Sequence, residues 1–150
     1  MKSDTERMRH LPDVNVWIAL LDEGHVFHQQ ALAFIQRKKL KIATCPLVEN
    51  GVIRVLNLPG YSKFGPAGFE RVSNKLSQIC SEMNHEFWPD DLSLRTQGVL
   101  NWARILGHNQ ITDAYLLALA VARGGTLITL DHRVTLSAVA RATRNNLVWL

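Results

Sequence analysis

Short apolar runs alternate along this 150-residue chain with longer stretches in which apolar residues recur every three or four positions. The first pattern predicts buried strands and the second predicts helices. Strands are predicted at residues 9–11, 41–44, 85–88, 126–130 and 147–150. Helices are predicted at residues 14–21, 26–38, 46–56, 67–83, 92–106, 111–123 and 134–142.

The alternation of strands and helices favours an α/β fold with a mainly parallel central sheet of four to five strands flanked by helices. The length fits one domain, and a hydrophobic share of 47% is enough for a full core. Residues 1–7 match no structural period. We therefore expect a flexible N-terminal extension at residues 1–7 and a single domain at residues 8–150.

The cysteine count and the longest apolar run limit where the protein works. Cys45 and Cys80 have no CxxC partner, so a reducing compartment is the simplest interpretation. The longest fully apolar run, AYLLALAVA, is far too short to span a bilayer. We expect a soluble, cytoplasmic protein with no membrane partner.

Four acidic residues interrupt strongly apolar stretches at junctions between predicted elements. They are Asp13, Glu49, Asp113 and Asp131. A buried carboxylate is costly unless it is paired, hydrogen-bonded or bound to a metal, and no Lys or Arg stands immediately beside the first three. Glu49 is the most diagnostic, because its helical spacing places it in the apolar row of Ile53 and Leu56.

These acids are expected to meet at one edge of the sheet. Asp13 and Asp131 directly follow predicted strands, and Glu49 and Asp113 lie near the starts of helices that begin on the same edge, where parallel sheets bind ligands. Two carboxylates about 4 Å apart repel by about 4 kcal/mol at an effective dielectric of about 20. A cluster of four therefore calls for a divalent cation, and Mg2+ or Mn2+ suits an all-oxygen site.

The net charge of +4 and the isoelectric point near 9.4 place the positive charge around such a cluster. A positive surround suits the phosphates of a nucleic acid, although ordinary surface solvation explains a modest excess of Lys and Arg equally well.

From about Met8 to the C-terminus the chain resembles the PIN-domain ribonucleases, in particular the VapC-type toxins of bacterial toxin-antitoxin modules. The resemblance is carried by DVNVWIALL, PLVENGVIRVL, TDAYLLALA and LITLDHRV, and TDAYLLALA is the most specific of these motifs. It implies a single PIN-like domain that holds one or two Mg2+ or Mn2+ ions and cleaves single-stranded RNA, often a tRNA. A cognate antitoxin protein that blocks the site and a homodimer are implied as well.

The resemblance also implies the roles of individual residues. Asp13, Glu49 and Asp113 would be inner metal ligands, and Asp131 would close the catalytic site directly or through a water. Asn15 and Thr112 stand beside acids and are candidates to hydrogen-bond a carboxylate or a metal-bound water.

Some features depart from the family pattern or leave other interpretations open. Val134 stands where the family commonly has an aromatic residue, and Pro12 replaces an apolar residue before the first acid. An aspartate-based phosphatase is one alternative, but it usually has a second acid where Asn15 stands here. A non-catalytic RNA-binding or antitoxin-binding module is another. Trp17 and Trp102 keep helical core spacing, which favours packing over base stacking.

Overall fold

A five-stranded parallel sheet forms the centre of the computed structural model, which describes residues 7–150. The strand order is β3-β2-β1-β4-β5. The strands are β1 (His10–Pro12), β2 (Ile42–Thr44), β3 (His85–Phe87), β4 (Thr126–Thr129) and β5 (Leu147–Trp149). This arrangement confirms the predicted α/β class. The expected extension at residues 1–7 lies, apart from Arg7, outside the described residues.

The middle strands are buried on both faces, as continuous apolar runs predict. β1 pairs with β4 in the register Leu11 to Leu127, and with β2 on its other side. β2 and β3 follow one another on one side of β1, and β4 and β5 follow one another on the other side. The order of strands therefore reverses at β1 and β4, and such a reversal opens a crevice at the carboxyl ends of the strands.

Five α-helices that lie wholly within residues 7–150 cover the sheet: α1 (Val14–Leu21), α2 (His28–Arg37), α3 (Pro46–Leu56), α4 (Phe69–Glu82) and α5 (Ile111–Ala122). α1 and α5 are apolar nearly all round and are the most deeply buried. α3 and α1 pack closely at Gly51. A Cβ atom at this position would lie only 2.7 Å from Cγ2 of Val14, so the contact needs a glycine. None of the helices within residues 7–150 is long and apolar enough to cross a bilayer.

Two predicted helices are wrong. Residues 92–106 form turns and one 3-10 turn, Trp102–Arg104, because Ser93 accepts a hydrogen bond from the backbone of Arg95 and Gly98 adopts a φ of 85°. Residues 134–142 contain only the 3-10 turn Leu136–Ala138, with extended backbone at each end.

The tryptophans divide between the core and the surface. Trp17 is fully buried, as predicted. The core assignment of Trp102 is wrong, because 56% of its surface is exposed once the helix around it is replaced by turns.

Candidate metal and active site

Asp13 is held between a helix start and the neighbouring strand. Its Oδ1 accepts a hydrogen bond of 2.9 Å from the backbone N–H of Val16, so it caps α1. Its Oδ2 accepts a hydrogen bond of 2.6 Å from the hydroxyl of Thr129 at the end of β4. Only 2% of Asp13 is exposed. These contacts fix the carboxylate at the crevice where the strand order reverses.

The pKa of Asp13 is raised to about 6, mainly by burial and in part by the charge of Asp131. The hydrogen bonds from Thr129 and Val16 act in the opposite direction, because they stabilise the ionised form. Ionising Asp13 is therefore costly in this structure, although it has two donors.

Asp113 lies in the first turn of α5, next to the other two aspartates. Burial is the main cause that raises its pKa to about 7, followed by the charges of Asp13 and Asp131. The guanidinium of Arg133 lowers this pKa in part. Mutual repulsion among these carboxylates is what the sequence predicted for residues gathered at one place.

Asp131 is linked to Asp13 through Thr129 and is paired with Arg133. The hydroxyl of Thr129, which donates to Asp13, also accepts the backbone N–H of Asp131 at 3.0 Å. The guanidinium of Arg133 binds the Asp131 carboxylate in a bidentate manner, with N to O distances of 2.9 to 3.3 Å, and lowers the pKa of Asp131. We call Asp13, Asp113 and Asp131 the aspartate cluster.

A small cavity opens beside the aspartate cluster. Its volume is about 30 Å³, enough for about one or two water molecules. Asp113, Asp131 and Arg133 line one part of it. The remaining wall comes from Ala114 of α5 and from two segments that lie outside the α-helices and strands. The first segment contributes Arg104, Ile105, Asn109 and Gln110, and the second contributes Val134, Thr135 and Ala138.

Glu49 is not in the aspartate cluster. Its Oε2 accepts a hydrogen bond of 2.8 Å from the hydroxyl of Thr44, and that hydroxyl lies 2.7 Å from Nε2 of His85. Glu49 lines a separate cavity of about 310 Å³ between α3, α4 and β3. We call this the Glu49 pocket; its other residues are Ile53, Ser73, Leu76, Ser77, Cys80 and His85. The expected convergence of four acids therefore holds for three.

The two residues expected to support the acids have limited contacts. Asn15 is exposed and acts on Asp13 through its backbone N–H, which lowers the pKa of that carboxyl, whereas Thr112 is half-buried at the start of α5. The main supporting residue is Thr129, which the sequence reasoning missed. A polar residue at the end of an apolar strand, two positions before Asp131, was the available signal. Arg133, two positions after Asp131, was also missed.

The aspartate cluster suits a hard divalent cation in its chemistry. All its donors are carboxylate oxygens, and two of the carboxylates carry pKa values raised partly by the charge of the others. Arg133 now supplies the positive charge at Asp131. Among residues 7–150 no three His, Cys, Asp or Glu side chains already form a group that could ligate one ion. Binding a cation therefore requires these side chains to adjust.

Known proteins resemble the chain along nearly its whole length. The PIN domain family profile matches residues 11–142. Ribonuclease VapC44 of Mycobacterium tuberculosis is 39% identical over 144 residues, which cover 95% of this chain and 100% of that protein. Ribonuclease VapC29 of the same organism is 37% identical over 124 residues, covering 83% of this chain and 86% of that protein.

A solved structure shares the fold at low sequence identity. A chain in the crystal structure of VapBC2 from Rickettsia felis bound to a DNA fragment from their promoter matches with a TM-score of 0.52 and 17% identity. The match covers 83% of this chain and 88% of that chain. With the strand order, the family profile and these relatives, the chain belongs to the PIN-domain family.

Proposed function

We propose that this chain is a metal-dependent endoribonuclease that acts as the toxin of a toxin-antitoxin pair. The relative named ribonuclease VapC44, matched over its full length, supports RNA hydrolysis. The observation in the structure that carries the proposal is the aspartate cluster: three carboxylates at the crevice of a parallel sheet, two of them with pKa values raised to about 6 and about 7.

Asp13, Asp113 and Asp131 would hold Mg2+ or Mn2+. Glu49, the fourth acid of the family pattern, would join them only when its carboxylate leaves the Thr44 hydroxyl. A divalent cation at this place would activate a water for attack on a phosphodiester and offset the charge that develops on the phosphate. The protein needs no nucleophile of its own in this scheme.

The surrounding residues keep the carboxylates in place. Thr129 orients Asp13 and ties it to the backbone of Asp131, so it positions two ligands at once. Arg133 would release Asp131 to the cation and become available for a phosphate, because its side chain is largely exposed. Asn15 and Thr112 remain candidates to bind a carboxylate or a water in the loaded site.

The partners follow from the same family assignment. We propose single-stranded or structured RNA, including tRNA, as the substrate, and a cognate antitoxin protein as the inhibitor. We also propose a homodimer in the cytoplasm. The net charge of +4 supports a polyanionic substrate, because the aspartate cluster is negative and the excess positive charge lies elsewhere on the molecule.

Cleavage of total RNA by the purified protein, freed of any bound partner, tests the function. We expect discrete fragments with Mg2+ or Mn2+ and none with EDTA. Asp13→Asn should abolish them, because the change removes a charged ligand. Glu70→Gln, which neutralises an exposed acid on α4, is the matched control and should leave cleavage unchanged.

Cleavage in EDTA, or cleavage that survives Asp13→Asn, would contradict a metal-dependent activity at the aspartate cluster. RNA binding without any cleavage would instead indicate the non-catalytic module considered from the sequence.

A further inference from the structure

One segment that forms the wall of the cavity beside the aspartate cluster combines an exposed tryptophan with an arginine. This rim segment, residues 101–110, contains the 3-10 turns Trp102–Arg104 and His108–Gln110 and leads directly into α5. Arg104 and Gln110 line the cavity with Asp113 and Asp131. The rim segment is therefore continuous with the proposed reaction site.

The rim segment is attached to the opposite wall by one hydrogen bond and is stiffened by another within itself. The backbone N–H of Asn101 donates to the carbonyl of Ala138 at 2.8 Å, across the same cavity. Within the segment, the backbone N–H of Leu106 donates to Oε1 of Gln110 at 2.7 Å. A surface fixed in this way can bind a ligand without first becoming ordered.

Trp102 and Leu106 expose apolar surface from this fixed segment. Trp102 is 56% exposed and Leu106 is 84% exposed, although Trp17 and Trp88 are buried. A single exposed leucine is ordinary, but an exposed indole offers a large flat face on which a nucleobase can stack. Because the indole of Trp102 belongs to the segment beside the proposed cleavage site, we take a base of the RNA substrate as the group that stacks on it.

The charges at the rim complement a nucleic-acid backbone. Arg104 is exposed two positions after Trp102, and Arg133 is exposed on the other side of the cavity. A strand of RNA that lies over this cavity would have both guanidinium groups within the same site as the carboxylates. Arginine binds phosphate in a bidentate manner, whereas the indole face contacts the base.

We propose that the rim segment positions single-stranded RNA next to the scissile phosphodiester, with a base stacked on Trp102 and a backbone phosphate bound by Arg104. This inference rests on the proposed ribonuclease function and adds residues that neither the four acids nor the family motifs include. Trp102 and Arg104 are positioning residues here, because no chemical step is assigned to them.

Equilibrium binding in EDTA tests the proposal separately from cleavage. The probes are a fluorescently labelled ten-nucleotide single-stranded RNA of mixed sequence and an abasic ribose-phosphate strand of the same length, followed by fluorescence anisotropy at several salt concentrations. Trp102→Ala should weaken RNA binding about tenfold, since one stacking contact is lost. It should leave binding of the abasic strand within twofold, and Trp102→Phe should retain most of the RNA affinity.

Arg104→Ala should weaken the binding of both probes and reduce the salt dependence by about 0.7 in the slope of log affinity against log salt. Phe64→Ala and Arg71→Ala are matched controls, because this exposed aromatic and this arginine line a different cavity. Each control variant should bind the RNA and the abasic strand with the affinity of the unmutated protein. Circular dichroism checks that every variant is folded.

The proposal is overturned if the unmutated protein fails to bind the RNA, or if Trp102→Ala binds it within twofold of the unmutated protein. Equal losses on RNA and on the abasic strand would exclude stacking, and equal losses in the controls would exclude a specific surface. Each of these results leaves the metal-dependent cleavage and its loss in Asp13→Asn unaffected. Failure of the rim proposal is therefore distinct from failure of the proposed function.

Discussion

The aspartate cluster and the Glu49 pocket differ in how their carboxylates are stabilised. In the aspartate cluster, burial and mutual repulsion raise the pKa values of Asp13 and Asp113. In the Glu49 pocket, a single half-buried carboxylate accepts a hydrogen bond from Thr44, which also contacts His85. In the aspartate cluster the guanidinium of Arg133 is bound to Asp131, and Asp13 and Asp113 keep raised pKa values beside it, whereas the Glu49 carboxylate is held by a hydroxyl of the protein.

The difference shows where a cation would gain most. Binding beside Asp13 and Asp113 would relieve repulsion that the protein alone does not relieve, apart from Arg133. Recruiting Glu49 would add a ligand but would cost its hydrogen bond to Thr44, about 0.5 to 1.5 kcal/mol for a typical pair. We therefore expect the three aspartates to dominate cation affinity and Glu49 to add a smaller part.

The largest effect is expected from Asp13→Asn in the cleavage reaction. A bound cation contributes several kcal/mol to stabilising the transition state, so losing this ligand should reduce the cleavage rate by more than about a hundredfold. Single-turnover rates on a cleaved RNA with saturating Mg2+ measure the effect. A loss of less than tenfold would place the reaction outside the aspartate cluster.

The next largest effect is expected from Thr129→Val, because this substitution leaves the buried carboxylate of Asp13 without the hydroxyl that donates to it at 2.6 Å. We expect the free energy of unfolding to fall by about 1 to 3 kcal/mol at pH 8, since a buried acceptor loses its partner. Urea denaturation measures it. Thr135→Val, which removes an exposed hydroxyl nearby, is the control and should stay within about 0.5 kcal/mol.

Asp113→Asn should stabilise the cation-free protein in a pH-dependent way. The folded pKa of Asp113 is raised from 3.8 to about 7, so the folded state binds more protons than the unfolded state between these values. Its contribution to stability is therefore complete below about pH 4 and is lost as the pH rises to about 7. Neutralising the residue should raise the free energy of unfolding at pH 8 by about 1 kcal/mol, which corresponds to a rise of about 2 to 4 °C in the melting temperature.

At about pH 3.5 Asp113 is protonated in most folded and unfolded molecules alike, so the same substitution should change the melting temperature by less than about 1 °C, which corresponds to about 0.3 kcal/mol or less. The comparison is made between variant and unmutated protein at each pH, in EDTA. This cancels the opposite trend of buried His10, whose pKa is lowered by desolvation. An equal shift at both pH values would contradict a raised pKa for Asp113.

The smallest effect is expected from Thr44→Val. Removing the hydroxyl takes away the hydrogen bond that holds Glu49 in its pocket, so Glu49 should become available at lower cost. We expect Mn2+ affinity to rise about two- to tenfold, the equivalent of one hydrogen bond. Calorimetric titration measures this. An unchanged affinity would indicate that Glu49 stays in its pocket and takes no part in binding the cation.

The sequence was most informative where the local pattern and the tertiary environment agree. The run TLITL became β4, and Asp13 caps α1, because both depend on neighbouring residues. The helix predicted at 92–106 did not form, because Ser93 and Gly98 favour turns that apolar spacing does not register. Apolar spacing also predicted that Trp102 lies in the core. The turns instead leave its side chain exposed.

The candidate site was predictable in its residues and less so in its contacts. Strand and helix positions bring Asp13, Asp113 and Asp131 together, as order along the chain implied. The contact between Glu49 and Thr44 depends on side-chain conformation, and the bidentate grip of Arg133 on Asp131 depends on the turn after β4. Neither follows from hydrophobic periodicity.

A titration of the metal-free protein with Mn2+, followed by electron paramagnetic resonance of the free ion, tests the central claim most directly. The unmutated protein, Asp113→Asn and Glu49→Gln are compared at pH 7.5. We predict saturable binding by the unmutated protein, loss of most of the affinity in Asp113→Asn and a smaller loss in Glu49→Gln. Unchanged binding in Asp113→Asn would contradict the assignment of the aspartate cluster as the metal site.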